Sequence, residues 1–178
     1  MNTIQDILQN TSNRQYPVPN KPWVQYQEWH KTLFLHWKAP ALLIAPLLPK
    51  GITLDTYNDE AWITIVAFTV KSLRSKWLPA FPLISNFHEV NVRTYVIKDG
   101  IPGIYFFSLE SQKLLPALLA RLLTGLPYIK SCIKRKEGSY HSKNHLKKYE
   151  LEIDYSIDDP LIGKTTFDYW LTERHCLY

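Results

Sequence analysis

Four polar side chains at alternate positions are the part of the sequence best suited to chemistry. They are Glu89, Asn91, Arg93 and Tyr95 in the run His88-Glu-Val-Asn-Val-Arg-Thr-Tyr-Val-Ile-Lys98. In an extended strand, period two puts all four on one face, about 7 Å between successive members. A carboxylate, an amide, a guanidinium and a phenol supply mutually satisfying donors and acceptors. Lining a cavity, such a set can recognise a polar group on a small ligand; on an exposed sheet face it would simply be solvated. Arg93 is the expected clamp for a carboxylate or the donor to a carbonyl. Glu89 would orient the ligand or carry a proton, and Tyr95 would donate a hydrogen bond.

Further candidates stand outside this strand. His36, beside Trp37, has the side chain that titrates near neutral pH, whether as an acid or base or as a hydrogen-bonded structural group. Lys130 follows Pro127-Tyr128; burial would lower its pKa and free the amine for Schiff-base formation, and exposure would leave it an ordinary surface lysine. His141 and His145 have HxxxH spacing but lie in a polar, lysine-rich stretch with no third ligand beside them, so no metal is expected. Neither Cys132 nor Cys176 has a catalytic or metal-binding setting. The sequence holds no GxSxG, GxGxxG or GxxxxGK motif, and no cofactor is expected.

The elements that must position these residues are mostly strands. Residues 1–25 form an arm, with a short helix over Thr3 to Gln9 and then Pro17, Pro19 and Pro22 forcing extended chain. Residues 26–178 form one domain. Tyr26 to Trp37 predicts the first strand, Leu42 to Leu48 a short apolar helix or turn, and Ala61 to Val70 a strand rich in β-branched and aromatic residues. Lys71 to Ser85 predicts a long loop. Asp99-Gly100 marks a hairpin between the Glu89 strand and Gly103 to Leu109. Leu114 to Leu123 predicts a helix stopped by Gly125 and Pro127. Ile129 to Arg135 and Lys147 to Ile157 predict strands flanking a polar turn, and Phe167 to Tyr178 a last strand. The strands on either side of Glu89 are apolar on both faces, which places it centrally.

Composition narrows the classes of function. A chain of 178 residues can bury a real core without staples, and six Trp, eleven Tyr and seven Phe suit packed sheets. Two cysteines fit a reducing, cytoplasmic setting. The first fifteen residues lack a signal-peptide core, and the apolar stretch 39–48 is too short to span a bilayer. The net charge of +5 is concentrated in the lysines of 130–148 and is followed by Glu150, Glu152 and Asp154. Adjacent segments of opposite sign suit cross-strand ion pairs rather than nucleic acid.

The order Trp29…Phe34-Leu35-His36-Trp37, Leu48-Pro49-x-Gly51-x-x-Leu54-Asp55 and Ala61-Trp62 resembles the YqjF-like family of unknown function. The likeness continues through Phe87-x-Glu89-x-Asn91-Val92-Arg93-Thr94-Tyr95, Pro102-Gly103, Leu126-Pro127-Tyr128 and Leu171-Thr172-Glu173-Arg174. That family is similar in fold to acetoacetate decarboxylase. The resemblance implies a mostly β protein whose large twisted antiparallel sheet closes into a barrel or cone around a cavity. The decarboxylase carries its Schiff-base lysine in a Gly-aromatic-Pro-Lys-Lys motif after a helix. Here Gly125-Leu-Pro-Tyr-Ile-Lys130 is a degraded counterpart, with Tyr128 where the first lysine is expected and Lys130 two residues later. Family members continue past the Leu-Thr-Glu-Arg segment for several more strands. Closure is therefore expected to be incomplete at the C-terminus, or completed by a second copy through edge pairing.

Three readings follow. The first is a small-molecule-binding barrel whose ligand meets Glu89, Asn91, Arg93, Tyr95, Tyr128 and His36. The second is a decarboxylase-like lyase in which Lys130 and Glu89 are catalytic. The third is an assembly protein without a ligand.

Overall fold

A computed structural model describes residues 3–12, 14, 16–160 and 162–178. Near the N-terminus, α1 (Ile4–Gln9) starts at Thr3, whose hydroxyl and the Asp6 carboxylate form a reciprocal capping box. The chain then enters β1 (Gln25–Ala39), passes a helical turn α2 (Ala41–Ile44) and a short 3₁₀ turn, and forms β2 (Thr53–Leu54). Next come β3 (Ala61–Ser75), α3 (Pro82–Ser85), β4 (Phe87–Lys98), β5 (Ile101–Ser111), α4 (Leu114–Thr124) and β6 (Tyr128–Lys130). The remaining elements are β7 (Cys132–Lys136), β8 (Ser139–Asn144), β9 (Tyr149–Asp154) and α5 (Thr166–Thr172).

The main sheet has the order β1-β3-β4-β5-β6, with β2 also on β4. Its pairs are antiparallel except β5 with β6, which the crossover through α4 makes parallel. β4 is central, as its apolar neighbours require, and Asp99-Gly100 turns it tightly into β5, both residues at positive φ. Among the described residues, β1 and β6 remain the two ends of the order. The fold is mostly β, with one twisted mixed sheet.

A meander of β7, β8 and β9 packs on one face of this sheet. Ile133, Tyr140 and Ile153 meet Ala67 and Val90, with Leu33, Leu35 and Ile65 at the margin. The Tyr140 hydroxyl donates to the Glu89 backbone carbonyl at 2.9 Å, fixing the meander to β4. The opposite face carries Val66, Phe68, Val70 and Phe87, and with them Glu89, Asn91, Arg93 and Tyr95.

Three expectations are corrected. Lys71 to Ser85 is not a long loop: β3 runs on to Ser75, paired with Gln25 and Tyr26, and α3 then turns the chain. The presumed polar turn before Lys147 contains β8, whose inward positions Tyr140, Ser142 and Asn144 include a single large apolar group. The opposed charges do pair across strands there, Lys143 with Glu150 at 3.0 Å and His141 with Glu150 at 2.5 Å. Finally, the aromatic segment from Phe167 is not a strand. Thr165 and Asp168 cap α5 reciprocally, and Phe167, Trp170 and Leu171 turn inward at helical spacing. The last residues return to β5, where Leu177 bridges Ile104 in parallel and the Cys176 carbonyl and Tyr178 amide bond to Ile104.

Candidate functional site

The pleat of β4 aims its four alternate polar side chains at one face, and cross-strand neighbours complete that surface. Thr64 lies opposite Arg93, Val66 opposite Asn91, and Phe68 opposite Glu89. On the other side Leu109 pairs with Asn91 and in turn with Tyr128 on β6. Bulges keep these partners in phase. In β1 the register shifts between His30 and Leu33, where Lys31 takes positive φ, so Trp29 and Phe34 end on the same face.

The stripe is not a solvated face. Glu89 and Arg93 are each 5% exposed, Asn91 is 1% exposed and Tyr95 is fully buried. Each is buried on different terms. Glu89 has its carboxyl pushed up to about 8 by desolvation, against a weaker opposing hydrogen bond from Tyr128. That hydroxyl lies 3.4 Å from Glu89 Oε1. Burial and the neighbouring Glu89 drive the Tyr128 phenol far above its ordinary value, so it stays a donor. At neutral pH, Glu89 is predominantly a neutral acid able to give up a proton.

Arg93 is the costly member. Its guanidinium sits 5.4 Å from the Phe34 ring centre, and its Nε has no hydrogen-bond partner. Burial lowers its pKa, opposed by a hydrogen bond with the Tyr95 hydroxyl. Among the described residues no carboxylate lies within ion-pair distance of it. The Oδ1 of Asn91, one alternate position away, is also buried without a partner. Two adjacent orphaned groups of opposite polarity on one face are what a polar ligand would satisfy.

Tyr95 is committed elsewhere. Its hydroxyl donates to the Leu171 carbonyl at 3.0 Å and meets Thr64 Oγ1 at 2.7 Å. With the phenol proton spent on Leu171, Thr64 must donate to Tyr95. Thr64 then accepts from His36 Nδ1, which lies 2.8 Å away. This chain fixes His36 as the Nδ1-protonated tautomer and leaves Nε2 as an acceptor. Burial, aided by the Arg93 charge, lowers the His36 pKa and keeps the imidazole neutral. Tyr95 therefore holds α5 in place, where the sequence suggested a donor to ligand.

Lys130 is apart from this group. It pairs in register with Ser111, is exposed, and borders a hollow shared with Gln112, Leu114 and Leu146. No described contact joins it to Glu89. Sequence reasoning did not find Thr64, Phe34 or the ion pair of Arg174 with Asp55 at 2.8 Å, which secures α5 over Tyr95. Thr64 had a signal: it is the one polar residue on its face of the apolar β3 run. Among the described residues, no three His, Cys, Asp or Glu side chains come together as a metal set, and no helix is long and apolar enough to cross a membrane.

The model of the DUF2071 family, described as an uncharacterized conserved protein, matches residues 26–178. The chain belongs to this family. It is 39% identical over 168 residues to uncharacterized protein YqjF of Bacillus subtilis (strain 168), covering 90% of this chain and 69% of that protein. Among solved structures, it is similar to the enduracididine biosynthesis enzyme MppR, with TM-score 0.55, 14% identity and 79% of this chain covered. It is likewise similar to acetoacetate decarboxylase from Legionella pneumophila subsp. pneumophila str. Philadelphia 1, with TM-score 0.54, 12% identity and 80% covered. An acetoacetate decarboxylase-like enzyme from Sphingomonas wittichii RW1 gives TM-score 0.52, 15% identity and 74% covered. The chain spans 58%, 53% and 58% of those three solved chains. The fold of this DUF2071 member is thus acetoacetate decarboxylase-like.

Proposed function

We propose that this DUF2071 protein binds a small carboxylate or carbonyl compound on the β4 face, with Arg93 as its anchor. The observation that carries this is the buried Arg93 guanidinium, with Nε unpartnered and no carboxylate beside it. An arginine held in this way is stabilised by an incoming anion through charge-assisted hydrogen bonds, bidentate where geometry permits. Asn91 Oδ1 would accept from a ligand hydroxyl or enol. Glu89, held neutral by burial, would deliver a proton to a carbonyl oxygen or an adjacent carbon. His36 Nε2 is the nearby acceptor whose tautomer is already set.

The Schiff-base alternative has less support. Tyr128 occupies the expected lysine position and Lys130 is exposed, so the desolvation that would activate its amine is lacking. A 2-oxo acid is the first compound to try, since one MppR structure was solved with pyruvate. The test is thermal unfolding of the full chain with pyruvate, acetoacetate, acetone or acetate. Stabilisation by the anions and a weaker or absent response to acetone is expected, since mass action ties the shift to affinity. No response to any carboxylate would remove the proposal.

A further inference from the structure

A second buried carboxyl lies on the other side of the main sheet. Glu110 on β5 stands opposite Val90 and faces the β7–β9 meander, 2% exposed. The Ser131 and Tyr149 hydroxyls both donate to it. Asn144 Nδ2 donates in turn to Ser131 Oγ at 2.8 Å. All these partners are neutral. Among the described residues no Lys, Arg or His lies within ion-pair distance of Glu110.

Beside Glu110 is a cavity of about 140 Å³ between the sheets, walled by Ile65, Val90, Val92 and Leu151 and also lined by Glu150, whose carboxylate is engaged by His141 and Lys143. Ser142 also lines it, buried, and its Oγ has no hydrogen-bond partner. Tyr149 and Val92 border this cavity and also a hollow of about 380 Å³ that includes Phe107 and Lys147. The hydroxyl of Tyr149, which borders both spaces, is tied to Glu110.

From this geometry we propose that the inter-sheet cavity binds a small primary ammonium ion with a short aliphatic body. A buried carboxylate with only neutral donors lacks a counter-charge, and a compact ammonium with three N–H donors supplies one. Two protein donors leave lone pairs on the carboxylate for it, and Ser142 Oγ provides another acceptor. At about 30 Å³ per water-sized group, the cavity admits the head and about three carbons against its apolar wall. The site lies on the opposite face of β4 from Arg93 and is independent of the function proposed above.

The test is thermal unfolding of the full chain with n-propylammonium or propan-1-ol, on wild type, Glu110→Gln and Leu151→Phe. The ammonium is expected to raise the midpoint of wild type in a concentration-dependent way, with the alcohol giving no comparable shift. Both variants should lose that response, Glu110→Gln by removing the charge and Leu151→Phe by filling the cavity without touching Glu110. If Glu110→Gln does not fold, Leu151→Phe alone decides. A wild type unmoved by the ammonium, an alcohol as effective as the ammonium, or a folded variant that responds like wild type would each overturn the assignment.

Discussion

The Tyr128 hydroxyl stands 3.4 Å from Glu89 Oε1, so the side chain at the expected lysine position faces a carboxyl that burial holds neutral. This relationship has a measurable sign. The folded state raises the Glu89 pKa from 4.5 to about 8. Between those values the native protein holds a proton that the unfolded chain has released. The contribution of Glu89 to stability is therefore greatest below the unfolded value and falls as pH rises through that window, by at most about 1.4 kcal/mol per pH unit. Glu89→Gln should flatten this part of the stability curve between pH 5 and 8, read by urea unfolding at several pH values, and become relatively more stable at the alkaline end. Tyr128→Phe, which removes a donor to the carboxylate, should push the carboxyl still higher.

Arg174 and Asp55 join the C-terminal segment to the turn after β2. Arg174 also donates through Nε to the Trp170 carbonyl at 2.9 Å. Asp55→Ala leaves a buried guanidinium without its counter-charge and should cost about 3 kcal/mol. Combining it with Arg174→Met should recover part of that loss, which a double-mutant cycle in urea would show.

Tyr95→Phe removes the donor to Leu171 and the acceptor for Thr64 in one step. The expected loss is about 1–3 kcal/mol, the range for leaving buried partners unsatisfied. Because the hydroxyl fastens α5, amide exchange in 166–172 should accelerate more than exchange in β4. Equal acceleration in both would mean that Tyr95 is not the link.

Lys130 offers a clean negative. Borohydride reduction in the presence of acetoacetate or pyruvate should leave no mass adduct on this residue, and Lys130→Ala should keep whatever ligand stabilisation the wild type has. A lysine adduct at position 130 would reinstate the lyase reading.

Much of the fold was legible where local signals and burial agree. The breaker-free run 61–70, the Asp99-Gly100 turn and the Gly125 helix stop each mark their element without help from distant chain. The period-two stripe on β4 likewise placed four candidate residues together, all of them buried. Failures came where partners distant in sequence decide. Aromatic β-propensity in Phe167, Tyr169 and Trp170 suggested a strand, although the Thr165-x-x-Asp168 capping box and the spacing of Phe167, Trp170 and Leu171 carried the helix. β8 has too few apolar residues to announce itself and exists through pairing with both neighbours. The role of Tyr95 depended on a carbonyl of α5, which no pattern in β4 could reveal.

The most direct test of a ligand site at Arg93 is a calorimetric titration of the full chain with pyruvate, comparing wild type with Arg93→Ala. Saturable binding to wild type that Arg93→Ala abolishes, with the variant still folded by circular dichroism, is the expected result. Pyruvate binding of equal strength to both proteins, or to neither, would contradict it.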